Sequence, residues 1–312
     1  MLTLSDWAKL ISDEKGRLQT LGAVEAMSDM RGWPMLKILP FRPVGGQAYV
    51  ANWATASTRA ATRAMNADFE ESSPGVRQYT FVMRAAGGDL KIDINMLLGD
   101  TTGVLRAGLL TQKLRDIGAR LFRMWFRGDK DHESGAQWHG ANEFCADNSL
   151  QTAAGENGGV ITSDLMDEAL EKVPGANLIL CNRTLARQIN NLEVGVQKQV
   201  VLNQGGLTPD MFVQTYKGVP VLPVGKAPND TTGTLEDILP FDETQGSCAE
   251  CSRVTVCRIG TDGIFGIHNR MLEIAEPRRA GAFEYNDMNW FMAGFATDYP
   301  DSIWQIAGVK AA

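Results

Sequence analysis

GLLTQKLRDIGARLFRMWFRGD, Gly108 to Asp129, contains no proline, and its apolar side chains recur at Leu110, Leu114, Ile117, Leu121, Met124 and Trp125. Steps of four, three, four and three residues place these on one face of an α-helix. The remaining surface carries Lys113, Arg115, Arg120, Arg123 and Arg127, with Asp116 as the only acid before Gly128 and Asp129 end the helix. Asp100, Thr101 and Thr102 offer N-cap side chains upstream. A helix starting there would have about 28 residues and span roughly 40 Å. Long cationic helices of this kind bind nucleic acid, cover an enzyme core, or brace one subunit against others. The rest of the chain has to separate these uses.

Composition narrows the choice. The chain has 312 residues, 44% hydrophobic content and a formal net charge of -7. A dedicated nucleic-acid binder normally presents a basic domain, so the cationic helix is a local feature whose charges are expected to be solvated or paired with acids. No run reaches the roughly 18 apolar residues of a membrane span. The start, MLTLSDWAKLISDEKGRL, has acids at Asp6, Asp13 and Glu14 and no apolar core of signal-peptide type. Leu4, Trp7, Leu10 and Ile11 instead predict a short amphipathic helix capped by Thr3 or Ser5, in a protein kept in a cytoplasm-like compartment.

Signals for chemistry are sparse. The chain has 5 cysteines and 3 histidines. CAEC, Cys248 to Cys251, is the only CxxC, and no second pair completes a tetrahedral zinc site. The SRVTVCRIG that follows it alternates as a strand does, whereas a redox motif opens a helix. Asp129, Asp131, His132 and His139 cluster in GDKDHESGAQWHGANEF, the best candidate for a metal constellation, but without a Glu-containing helical motif they read as a surface loop. Gly158-Gly159 and Gly205-Gly206 complete neither GxGxxG nor GxxxxGK[ST]. The expectation is no catalytic residue, no cofactor and no metal.

Around the helix the chain changes texture several times. Gln47 to Trp53 and Val76 to Met83 alternate as strands, and roughly 20 residues poor in core-grade side chains lie between them. This predicts an extended hairpin projecting from the body. AAGGDLKIDIN bends at Gly87-Gly88 and then alternates at Leu90, Ile92 and Ile94. From Val160 the pattern is α/β: ITSDLMDEALEKV as a helix capped at Thr162 or Ser163, ANLILCN as a buried strand, RTLARQINNL as a helix and YKGVPVLPV as a strand. GKAPNDTTGTLEDILPFDETQG reads as irregular, and the chain then closes with long strands.

Taken in this order, the pieces resemble tailed-bacteriophage major capsid proteins of the Hong Kong 97 fold, along nearly the whole chain. The N-terminal helix running into ILPF looks like that family's N-terminal arm. The hairpin, with Arg63 and Asn66 in TRAMNADF, is similar to its E-loop, and GGDLKIDIN to the strand returning from it. LTQKLRDIGARLFRMWFRGD resembles the spine helix, with QWHG close behind. LMDEALEKV, ANLILCNRTLARQINNL and YKGVPVLPV look like the axial domain, and DGIFGIHNRMLEIAE with NWFMAGFATDYPDSIWQIAGV like the C-terminal strands.

The resemblance implies an α+β fold with an N-terminal arm at 1–41, an E-loop at 42–86, a peripheral domain at 87–157 and 269–300, and an axial domain at 158–268 and 301–312. It further implies a shell protein, not an enzyme, that forms hexamers and pentamers of an icosahedral head around double-stranded DNA. A cellular encapsulin shell is the alternative within the same fold, and a metal- or nucleotide-dependent enzyme the alternative outside it. The implied partners are further copies of the chain, a separate scaffolding protein, a portal, and such decoration proteins as a given shell carries. DNA would be touched weakly and without sequence specificity. Assembly would take place in the host cytoplasm and the product would be the virion. The inter-subunit contacts implied are Arg59, Arg63, Asn66, Phe69 and Glu70 on the hairpin and Arg120 and Arg123 on the helix.

Overall fold

In the computed structural model, residues 2–3, 23–29, 31–56, 62–63, 65–66, 68, 75–99, 104–131, 135–192, 200–201, 212–228 and 233–311 are described. The expected amphipathic helix at Leu4 to Ile11 and the caps at Asp100 to Thr102 lie outside them. The long helix runs uninterrupted from Val104 to Arg127 and buries Leu114, Ile117, Leu121 and Trp125. Leu110 and Met124 complete the stripe half-buried. The four-three spacing therefore becomes one continuous apolar seam, as the period requires.

That seam lies against one of two main sheets. The first orders Leu2–Thr3, Pro40–Pro43, Ile264–Ile274, Phe283–Thr297 and Arg278–Ala280, with Arg84–Asp93 also paired to Phe283–Thr297. Phe283–Thr297 and Arg84–Asp93 match antiparallel in an unbroken register from Phe283↔Asp93 to Met292↔Arg84. Their apolar side chains join the helix stripe and Trp33, Phe41 and Phe265 in one core. Gly87 is required here: its φ is +155°, and a Cβ would sit 1.9 Å from the Met288 carbonyl oxygen. Gly118 has a comparable role on the helix, where the segment at 23–27 crosses so closely that a Cβ would meet the Met27 carbonyl oxygen at 2.6 Å.

The second sheet orders Thr215–Tyr216, Val219–Val224, Leu178–Asn182, Cys248–Cys257, Ile303–Lys310 and Gln151–Ala153, with Glu243–Gln245 on Cys248–Cys257. Helices Ser163–Lys172 and Arg183–Leu192 cover it through Met166, Ala169, Leu185 and Ile189. Thr162 caps the first of them by accepting from the Leu165 amide at 3.4 Å. Lys217 and Gly218, both with positive φ, turn the chain between Thr215–Tyr216 and Val219–Val224.

Several details differ from the sequence reading. Ile94 does not continue the strand; it opens a helix, Ile94–Gly99. The stretch read as irregular contains a hairpin of Lys226–Pro228 with Leu235–Asp237, docked on the long helix. The loop after that helix holds a further helix, Ala141–Asp147, with Trp138 and His139 buried beside it. Sheet membership also cuts across the expected division: Gln151–Ala153 belongs to the second sheet, and Ile264 to His268 to the first.

Candidate functional site

Ala48–Ala56 and Gly75–Val82 pair with each other from Ala48↔Val82 to Ala56↔Gly75 and form a separate two-stranded sheet. Alternation sorts its side chains: Ala51, Trp53 and Phe81 are buried, while Val50 and Val76 are exposed. The buried face is anchored by aromatic rings. Trp53 stacks on Tyr79 with centroids 4.9 Å apart, and Phe144 meets both edge-on at 5.7 and 5.4 Å. Two-stranded ribbons are marginal alone, so this anchoring is what fixes the root of the hairpin.

A polar latch reinforces the same root. Arg42 Nη1 donates to Tyr49 Oη at 2.5 Å and to Asp298 Oδ2 at 3.1 Å, and Tyr49 donates to Asp298. The guanidinium also lies 4.2 Å from the Phe265 ring centroid. Burial first, then the Asp298 carboxylate, pushes the Tyr49 hydroxyl up to about 12, so it keeps its proton.

On the other side His139 stacks on Tyr79 at 5.7 Å, and its Nδ1 is hydrogen-bonded to the Tyr79 hydroxyl. Burial lowers the His139 pKa to about 4 and raises that of Tyr79, whose phenolate is further disfavoured by Asp147 and Glu143. His139 Nε2 lies 3.5 Å from Glu143 and 3.7 Å from Asp147, and Lys130 is paired with both acids. That pairing lowers the Asp147 pKa, whereas burial raises that of Glu143. His139, Glu143 and Asp147 bring one ligand atom each within 4.8 Å of one another, as do Asp129, Asp131 and Glu143. His132 lies outside the described residues. The loop read as surface is therefore tied into the hairpin root through a buried histidine.

The helix arginines find acids within the same chain. Arg106 reaches the buried Glu284 at 2.9 Å, Arg115 reaches Asp29 at 2.8 Å, Arg123 reaches Glu236 at 3.4 Å and Arg127 reaches Asp242 at 2.9 Å. Arg123, expected at a subunit contact, is thus half-buried against the Leu235–Asp237 strand, while Arg120 is exposed. On the hairpin, Arg63 and Asn66 are exposed, and Asn66 adopts a left-handed φ of +63°. Arg59, Phe69 and Glu70 lie outside the described residues. Sequence reading missed further exposed apolar side chains, Met96 and Leu98 on the short helix and Val104 and Leu105 on the long one. Their signal was the apolar run MLLG between AAGGDLKIDIN and the long helix.

The cysteines carry no disulfide. Cys145, Cys181, Cys251 and Cys257 are buried and their thiols pushed up by burial, while Cys248 is partly exposed and lowered by a backbone hydrogen bond from Glu250.

No protein-family model matches the chain, and no curated protein matches it by sequence. Solved structures do match its fold. The holo-SrpI encapsulin complex from Synechococcus elongatus superposes with a TM-score of 0.64 at 14% identity, covering 91% of this chain and 89% of that one. The capsid of an empty GTA particle gives 0.58 at 12%, covering 88% and 89%. Microbacterium phage Oxtober96 gives 0.58 at 12%, covering 89% and 91%. At such identities the likeness is one of fold, and it covers 88–91% of this chain. The chain has the Hong Kong 97-type fold.

Proposed function

We propose that this chain, on the strength of its Hong Kong 97-type fold, is a shell subunit that assembles with its own copies into hexamers and pentamers of a phage head enclosing double-stranded DNA. Its role is structural and not enzymatic. The observation that carries this is the hairpin: a two-stranded ribbon, held at its root and exposing Val50, Met65 and Val76, with Met65 98% exposed. Apolar side chains displayed on a ribbon that shields so little surface are explained by burial against a neighbouring copy. Met96, Leu98, Val104 and Leu105 are further exposed apolar side chains that such a neighbour could cover. Arg63, Asn66 and Arg120, with Arg59, Phe69 and Glu70, are the contact residues this reading assigns. In it, 42–86 is the E-loop, the first sheet and long helix are the peripheral body, and the second sheet is the axial body.

A scaffolding protein, a portal and decoration proteins belong to the same proposal, as do assembly in the host cytoplasm and residence in the virion. An encapsulin-type cellular shell is the second reading, since one of the matching structures is an encapsulin complex. Negative-stain microscopy and light scattering of the expressed full chain test the shared part: closed particles or capsomers are expected. A chain that stays monomeric at high concentration, with or without a co-expressed scaffold, overturns it. The contents of particles recovered from their natural source, DNA or a cargo protein, separate the two readings.

A further inference from the structure

We propose that His139, Glu143 and Asp147 form a binding site for a divalent transition-metal ion of the zinc class at the root of the hairpin. This goes beyond shell assembly and does not depend on it. The three residues follow one another at four-residue steps through helix Ala141–Asp147 and the residues leading into it, so their side chains gather on one side. Two donors at about 2.0–2.2 Å from a tetrahedral zinc ion lie roughly 3.3–3.6 Å apart. His139 Nε2 is 3.5 Å from Glu143 Oε2 and 3.7 Å from Asp147 Oδ2.

The histidine is what distinguishes this from a surface acidic cluster. Its side chain is 4% exposed, and Nε2 has no hydrogen-bond partner although it faces two carboxylates. The other ring nitrogen is engaged by the Tyr79 hydroxyl, an outer partner of the kind that orients metal-binding histidines.

Lys130 holds the site in the metal-free chain, paired with Asp147 and 3.6 Å from Glu143. Its side chain is 39% exposed, so the ammonium can swing into water when an ion enters. A divalent ion brings twice the charge and, for zinc, an affinity for imidazole that ammonium and magnesium lack. Asp129 and Asp131, which approach Glu143 from the preceding loop, add negative potential around it. A bound ion would join helix Ala141–Asp147 to His139 and, through Tyr79, to the hairpin.

The test is a titration of metal-free full-length chain, in a Cys248→Ser background, with Zn²⁺ against a chromogenic chelator and with Mg²⁺ in parallel. One Zn²⁺ per chain is expected, with Mg²⁺ failing to compete at equal concentration and Zn²⁺ raising Tm. Glu143→Gln and Asp147→Asn should each weaken binding at least about tenfold, and Tyr79→Phe by roughly 10–100-fold. Lys130→Met should tighten it. Asp147 and Lys130 are partly exposed, so those two variants remain informative if His139→Gln fails to fold. No Zn²⁺ uptake by the parent, or uptake unchanged by Asp147→Asn and Lys130→Met, overturns the site.

Discussion

Gly118 sits in the middle of a helix, where replacing glycine by alanine ordinarily stabilises by about 1 kcal/mol. Here the added methyl would lie 2.6 Å from the Met27 carbonyl oxygen, a backbone atom that cannot rotate aside. Gly118→Ala should therefore destabilise, by about 1–3 kcal/mol as for other overpacked sites, measured by urea denaturation. His139 supplies a pH dependence. Its folded pKa, about 4, lies below the unfolded value of about 6.5, so the unfolded chain binds more protons between them. The contribution is complete above about pH 6.5 and is lost as pH falls toward 4, by up to roughly 3 kcal/mol. Lys130 opposes protonation of the ring, and Glu143, Asp147 and Asp129 favour it. Without divalent metal, stability measured from pH 7 to pH 4 should decline steeply for the parent and less for His139→Gln. The role of His139 was not legible in the sequence, because it arises from Tyr79, far earlier in the chain, stacking on the ring.

The long helix was readable because its period persists over many turns, and each turn adds another agreement with 3.6 residues. The same persistence predicts consequences for its faces. Leu121→Ala should cost about 2–5 kcal/mol, since Leu121 is buried in the core. Arg123→Ala should cost about 0–1 kcal/mol, because its partner Glu236 is 44% exposed. Equal losses in thermal or chemical unfolding would count against this assignment. Glu236 itself lies on a strand of three residues, too short for alternation to show, and its hairpin partner contains Pro228. That is why the dock for the helix arginines escaped the sequence reading. The projecting hairpin was legible as two alternating runs flanking an apolar-poor stretch; the ring stack at its root was not. Replacing residues 55–73 with a short Gly-Ser turn should leave Trp53, Tyr79 and Phe81 packed and the subunit folded. Such a variant should give soluble chains that fail to close into particles under the microscope. Hydrogen exchange at 48–53 and 77–82 should change little.

At the scale of the molecule, the cations of the long helix are largely neutralised by acids of the same chain, and the net charge is -7. DNA affinity depends chiefly on cations free to meet phosphates. The isolated chain should bind duplex DNA no more tightly than about 10⁻⁴–10⁻⁶ M at physiological salt, with a shallow salt slope in fluorescence anisotropy. Tight binding with a steep slope would point to a cationic surface assembled elsewhere. The order of helices and strands was enough to name the fold, since each piece constrains the next. The exchange of short segments between the two sheets was not, because Gln151–Ala153 is set by parallel pairing with Ile303–Lys310, far along the chain.

The hairpin's returning strand, Gly75–Val82, passes through the single residue Met83 into Arg84–Asp93, which is stitched to Phe283–Thr297 by ten consecutive residue pairs. A pull transmitted down that strand would load this ladder lengthwise. Its hydrogen bonds run across the strands, so they would resist in shear together instead of unzipping one by one. The hairpin would then be set in a riveted beam, and stretching force on it would spread through the first sheet before any single contact gave way.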